Sequence, residues 1–353
     1  MLNFQEMLTP IWDSDMIYGE SLMMLKDEHG VAQGRLLFPP TGPVEVWDGA
    51  YSMKYEEGVD YTVEGDIITL TSNSRIFSFT RDELYPKELI PERSFPGHGC
   101  NLLWSEGEFF LHRQIEVTYP CKKGQWEGPV PPSAKEYLPL TCQRLAKKEP
   151  FKMMVFGDSI SQGYNTSRRF FAPPYQGDYG ELVNECLHRH FGTIIQHINT
   201  SIAGRETNFA LEYLDRLVND YAPDLLILGF GMNDSDKEPK VFRKNIETII
   251  DRVREKKSTT EFILVATSLP NPLWEYETPT KLAYRIAYKE ELDRIVAHIP
   301  GTIVADITGI QMYMQQKKRY IDITGNHINH PNDFFHRVYA QFISGMFLQG
   351  SGS

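Results

Sequence analysis

Five short apolar runs in the second half of the chain leave few architectures open: KMMVF (152–156), TIIQHI (193–198), DLLILGF (224–230), EFILVAT (261–267) and TIVADI (302–307). Helical patterns lie between them. Phe242, Ile246, Ile249, Ile250 and Val253 recur at the spacing of one helix face, as do Phe335, Val338, Tyr339, Phe342, Ile343 and Met346. Short apolar strands alternating with amphipathic helices predict a five-stranded parallel sheet in a three-layer α/β/α sandwich. In such sheets the active residues gather at the carboxyl ends of the strands.

The first 120 residues have a different grammar. Residues 44–74 are dense in Val, Tyr, Thr and Ile and are broken by Gly, Asp and Asn. YTVEGDIITL reads as a hairpin turning near Glu64-Gly65. In FFLHRQIEVTY (109–119), Phe109, Leu111, Ile115, Val117 and Tyr119 share one face, which predicts a half-buried antiparallel strand. Residues 121–150, rich in Pro, Lys and Gly and without a sustained period, read as a connector. The expected organisation is an all-β sandwich of jelly-roll type plus connector over 1–148, then an α/β domain over 149–349.

A net charge of −11 excludes nucleic acid or an anionic membrane as a partner, since both require basic surface. The first 20 residues lack a basic segment followed by an apolar core, so the chain reads as cytoplasmic without a signal peptide. Cys100, Cys121, Cys142 and Cys186 are scattered, form no CxxC pair, and read as ordinary thiols.

Ser159 stands just past the first predicted parallel strand, in FGDSISQGY. A serine nucleophile needs a base to take its proton and donors to hold an oxyanion. The other strand ends offer these types: Gly204 in SIAGRE can present a bare backbone N–H, Asn233 in GMND carries an amide, and HINHPND precedes the last helix. Ser, Gly, Asn and His in this order resemble the SGNH hydrolases of the GDSL esterase/lipase family, whose sheet is flavodoxin-like. The resemblance covers about residues 150–348. It implies Ser159 as nucleophile, an oxyanion hole from the Ser159 N–H, the Gly204 N–H and the Asn233 amide, and no metal or organic cofactor.

The family commonly carries an acid three residues before its histidine, as D-x-x-H. Asp333-Phe334-Phe335-His336 has that spacing, but alignment on HPND makes His330 the base, with Asn332 and Asp333 at the helix start. His327 then occupies the position of the acid. Three orienting groups are left open: a backbone carbonyl in a Ser–His dyad, a carboxylate from elsewhere in the chain such as Asp322 or Asp306, or Asp333, taken as the orienting acid. The spacing H-x2-H-x5-H of His327, His330 and His336 fits no zinc pattern.

Trp274 and Tyr276, in SLPNPLWEYETP after the fourth strand, are candidate substrate-binding residues, and His98 in SFPGHGC reads as a turn. A β domain before an SGNH domain is similar to bacterial carbohydrate esterases that remove acetyl groups. The expected function is therefore hydrolysis of short acyl esters, acetyl foremost, on a small-molecule or oligosaccharide substrate. Other short-chain esterase, thioesterase or lipase substrates are the alternative, and a silent binding module a third reading. Homo-oligomers are left open.

Overall fold

The computed structural model describes residues 4–348, with side chains from Glu6 onward, so residues 1–3 and 349 of the expected spans lie outside the described residues. Among the described residues the first half holds ten strands. They are β1 (Met16–Met23), β2 (Leu25–Lys26), β3 (Ala32–Arg35), β4 (Glu45–Asp48) and β5 (Lys54–Tyr55), then β6 (Tyr61–Glu64), β7 (Ile67–Leu70), β8 (Ser94–Gly97), β9 (Cys100–Leu103) and β10 (Gln114–Pro120). They form two four-stranded sheets, ordered β1-β10-β4-β5 and β2-β3-β7-β6, and the separate hairpin β8-β9. The β6–β7 hairpin turns at Gly65 and Asp66, where Gly65 takes φ +60, a left-handed conformation that glycine adopts without steric cost.

The predicted strand over 109–119 is a strand only in its second part. Gly107 turns the chain at φ +90, and Leu111–Arg113 coil into a single 3-10 turn. From Gln114 onward the expected face is in place, with Ile115, Val117 and Tyr119 buried in the core. The opposite face is buried as well. Gln114 Nε2 donates to the carbonyls of Ile321 (3.2 Å) and Thr324 (2.9 Å), and Glu116 pairs with Arg337. The strand is therefore enclosed on both sides, because the second half of the chain packs against its polar face.

The second half has the predicted sheet. Strands β11 (Phe151–Gly157), β12 (Ile195–Asn199), β13 (Leu225–Gly229), β14 (Glu261–Ala266) and β15 (Thr302–Asp306) run parallel in the order β12-β11-β13-β14-β15. This is the flavodoxin-like order, with the chain reversing direction at β11. Helices Thr207–Leu217, Pro239–Lys256 and Pro279–His298 cover one face through a core that includes Phe156, Phe230, Phe242 and Tyr288. The last helix, Asp333–Leu348, lies on the other side with every residue from 333 to 347 buried. Its periodicity marks the stripe facing the sheet, and the rest is enclosed by the helix Tyr179–Phe191, whose Tyr179 stacks on His336, and by the antiparallel half, whose Glu116 pairs with Arg337. One hydrophobic cluster runs from Ile17, Val46 and Tyr119 to Val155, Phe335 and Phe342, so the two halves share a core.

The expected connector also takes on structure. Pro139–Lys147 is a helix, started by Pro139 at its first position, where the missing N–H costs nothing. The Glu261 carboxylate accepts from Leu140 N (2.9 Å) and Thr141 N (2.7 Å), supplying the cap that the local sequence lacks. The four cysteines are free thiols. Among the described residues no helix is long and apolar enough to cross a membrane.

Candidate active site

Ser159 follows the end of β11, between the ends of β12 and β13, so the strand order alone brings three of the predicted residues to one edge. The turn is tight. A Cβ on Gly157 would stand 2.4 Å from the Gly229 carbonyl, so only glycine lets β11 and β13 end this close together. Asp158 folds back to accept from Ile160 N at 3.0 Å, and burial pushes its carboxyl up to about 7.

Two flanking loops are pinned around the serine. Ala203 N donates to Gln162 Oε1 at 3.0 Å, tying the loop of Gly204 to that of Ser159. Gly204 is exposed with φ +72, and a side chain there would find open space, so its backbone conformation accounts for the glycine. Asn233 Nδ2 donates to Arg205 O at 3.0 Å, joining the Gly204 and Asn233 loops and leaving one amide hydrogen free. Helix Pro279–His298 braces the Asn233 loop from behind. Arg285, held by the buried Glu277 carboxylate, donates to the carbonyls of Gly231 and Met232, and the Tyr288 hydroxyl donates to those of Asp234 and Lys237.

His330 comes from the loop before the last helix. Its Nε2 lies 2.9 Å from Ser159 Oγ. Its carbonyl accepts from Thr324 Oγ1 and Gly325 N, both at 2.9 Å, which fixes the backbone that carries the ring. Nδ1 is 2.9 Å from Asn165 Oδ1 and 3.2 Å from the Glu106 carboxylate. Glu106 belongs to the loop after β9, in the antiparallel half, and no sequence signal had singled it out. Burial alone would raise its carboxyl. The hydrogen bond and charge of His330, with bonds from Asn326 and Asn165, outweigh that and hold it below the ordinary range.

The expected acids lie elsewhere. Asp333, expected to orient the histidine, accepts from Ser167 N at 2.8 Å instead, and burial pushes it up to about 6. At the start of a helix its side chain reaches the neighbouring loop, while His330 faces Glu106. Asp322 accepts from Met23 N and pairs with Arg319, and Asp306 caps the helix after β15 through Gly309 N. His330 Nδ1 meets side chains, which also sets aside the carbonyl-held dyad. Asn332 Oδ1 accepts from Phe335 N at 3.0 Å, the helix-start cap expected of it.

The other two histidines have separate settings. His327 Nδ1 meets Leu103 O at 2.9 Å, and burial drives this imidazole down to about 4. His336 is enclosed beside Tyr179 and Tyr339 and is driven down to about 3. Trp274 packs edge-on to Phe95 of the β8–β9 hairpin (6.0 Å between centroids) and lies 4.8 Å from the Tyr276 ring, which is 46% exposed. Asn271 at the base of their loop bonds to the backbone of His327 and Ile328, so this loop abuts that of His330. His98 stands in the β8–β9 turn, bonded to the Glu277 carbonyl at 3.3 Å.

A serine hydroxyl bonded to an imidazole, with a carboxylate behind the ring and a bare N–H and an amide nearby, is an arrangement suited to acyl transfer. The chain is similar to several known proteins. An arylesterase from Vibrio mimicus is 30% identical over 116 residues, a match spanning 32% of this chain and 54%, about half, of the relative. A two-domain esterase active on acetylated mannans aligns with 62% of this chain and 54% of its own at 20% identity and a TM-score of 0.48. A catalytic mutant of an acetylxylan esterase from Geobacillus stearothermophilus aligns with 56% of this chain and 94% of its own at 14% identity and a TM-score of 0.46. The sequence model of the GDSL-like Lipase/Acylhydrolase family matches residues 155–338, just over half of the chain and inclusive of Ser159, Gly204, Asn233 and His330. The chain belongs to the GDSL-like lipase/acylhydrolase family.

Proposed function

We propose that this chain is a serine carboxylic-ester hydrolase that removes short acyl groups, acetyl foremost, from carbohydrate hydroxyls through an acyl-enzyme on Ser159. The observation that carries the reading is the 2.9 Å contact between Ser159 Oγ and His330 Nε2. As Oγ attacks the ester carbonyl, its proton passes to Nε2, and the carbonyl oxygen becomes an oxyanion facing the N–H groups of Ser159 and Gly204 and the free hydrogen of Asn233. Collapse expels the alcohol, which takes the proton from His330. Water then attacks the acyl-enzyme with His330 again as base, releasing the acid and restoring Ser159.

Support for a carbohydrate leaving group is aromatic, since Asn165, Asn326 and Glu106 are spent on holding the imidazole and one another. Tyr164, whose ring is 5.4 Å from that of His330, and the exposed Tyr276 add aromatic faces of the kind that pack against sugars. The Vibrio mimicus relative favours a second reading, a short-chain esterase on aryl or other simple esters.

The test is hydrolysis of 4-nitrophenyl acetate by the wild-type chain beside Ser159→Ala. Turnover is expected only in the wild type, and equal rates in both would refute the reading. A series from acetate to octanoate and a set of acetylated oligosaccharides then separate the substrates. Activity falling with acyl length and highest on the oligosaccharides supports the carbohydrate reading. Simple esters turned over faster than any acetylated sugar support the second.

A further inference from the structure

The position three residues before His330 is occupied by His327, yet a carboxylate reaches the ring from 224 residues away along the chain. We propose that Glu106, delivered by the antiparallel half, is the positioning carboxylate of the active site, holding His330 in one tautomer and stabilising its imidazolium. This rests on the serine-hydrolase reading and extends it, because it makes the N-terminal half part of the catalytic machinery.

The amides around the ring fix the direction of every bond. Asn326 Oδ1 accepts from Ile328 N, Asn329 N and His330 N, each at 3.0 Å, so its nitrogen must point the other way. The two hydrogens of that nitrogen go to Glu106 Oε1 (3.0 Å) and Asn329 Oδ1 (3.1 Å), leaving none for the imidazole 3.1 Å away. Asn165 Nδ2 faces two carbonyls, Gly107 O (3.3 Å) and Gly325 O (3.1 Å), so its oxygen is the atom turned to His330. Nδ1 thus meets two acceptors, the Asn165 oxygen and the Glu106 carboxylate, and carries the proton. Nε2 is left with its lone pair toward Ser159 Oγ. When Nε2 takes the serine proton, Glu106 receives none. Its charge offsets that of the imidazolium, which the neutral Asn165 cannot do.

The same geometry gives a purpose to His327. Its Nδ1 bonds the Leu103 carbonyl at the end of β9, three residues before Glu106. Asn165 holds the carbonyl of Gly107, one residue after it. The loop that delivers the carboxylate is therefore tethered on both sides to the histidine and serine loops. The residue standing where the family usually has its acid anchors the segment that brings one from the other half.

The experiment compares full-length wild type, Glu106→Gln, Glu106→Asp and Ser159→Ala with 4-nitrophenyl acetate from pH 5 to 9, together with thermal melting. The Glu106 side chain is 29% exposed, so the glutamine, equal in shape, leaves the melting temperature near that of wild type. Glu106→Gln is expected to lose about a hundredfold to ten-thousandfold in kcat with KM within about threefold. Glu106→Asp, which keeps the charge, should recover part of the rate. A glutamine variant within threefold of wild type in kcat overturns the proposal, and so does a loss in kcat matched by a fall in melting temperature that aspartate does not relieve. If Ser159→Ala retains turnover, the serine-hydrolase reading itself has failed, a result separate from either.

Discussion

Arg337, only 1% exposed, lies where the last helix meets β10 and offers a direct measure of how firmly the halves are joined. Its guanidinium donates to the Glu116 carboxylate and the Gly19 carbonyl from the antiparallel half, and to Gln176 Oε1 at 2.7 Å from the other. Glu116 is 3% exposed, and its remaining side-chain partner is the Tyr51 hydroxyl at 3.2 Å. Arg337→Met keeps most of the volume and strands that carboxylate. Burial already pushes Glu116 up to about 7 against the lowering charge and hydrogen bond of Arg337, so without the arginine it becomes a buried acid with little to hold its charge. Removing one partner of a buried pair costs about 3–5 kcal/mol. At about 2.1 cal/mol/K per residue, this chain has an unfolding entropy of about 0.74 kcal/mol/K, so the melting temperature should fall by about 4–7 °C. Adding Glu116→Leu removes the stranded acid and should restore at least about half of that drop, a coupling that appears only between groups in contact. Circular dichroism melts of wild type, both single variants and the double variant at pH 7 supply the measurement. A shift under about 1 °C for Arg337→Met, or a double variant losing the sum of the single losses, would refute the reasoning.

Two further outcomes are expected. Asn233→Ala removes the one amide hydrogen not taken by Arg205 O, so kcat on 4-nitrophenyl acetate should fall by about 10²–10³ with KM nearly unchanged, the cost of about 2.7–4 kcal/mol for one oxyanion donor. Steady-state kinetics with an unaltered kcat would remove Asn233 from the oxyanion hole. The second concerns His336, which burial drives from 6.5 down to about 3. Below pH 6.5 the unfolded chain takes up a proton that the folded one refuses, so the stability held by this neutral ring above that pH is lost on acidification. Each such group contributes about 1.4 kcal/mol per pH unit between roughly pH 6 and 4. His336→Phe should remove that slope, so that urea titrations at pH 7, 6 and 5 show the variant gaining on wild type as pH falls. A constant difference across the three would show that the ring does not titrate as described.

The parallel sheet was legible because its signal is local. Each strand is a run of five to seven mostly apolar residues, and the residues that end it stand beside it in the chain, so the placing of Ser159, Gly204 and Asn233 at strand ends is legible in the sequence. His330 was legible through Pro331 and the cap residue Asn332, which mark a helix start. Misread segments depend on partners remote in sequence. The strand expected over 109–119 begins only at Gln114, after a 3-10 turn that follows the loop bonded to His330, and the helix Pro139–Lys147 takes its cap from Glu261, more than a hundred residues later. The orienting acid fails for the same reason. A search for D-x-x-H inspects three residues before the histidine, and here that position holds His327, turned away to the Leu103 carbonyl.

What made Glu106 invisible is that it lacks any pattern of its own. SEGEF is an ordinary turn sequence, and its glutamate becomes informative only when Leu103, packed with Ile321 and bonded through its carbonyl to His327, brings the end of β9 beside the loop before the last helix. The arrangement has a physical consequence. An acid three residues from its histidine moves with it and survives any rearrangement between halves. A carboxylate 3.2 Å from the imidazole but carried by the other half keeps that distance only while β10 stays packed against residues 321–337. The bonds of Gln114, Glu116 and Asn332 along that joint thus bear on the charge beside His330 as well as on folding. Loosening the joint through Arg337 should then lower turnover before it unfolds the sheet that carries Ser159.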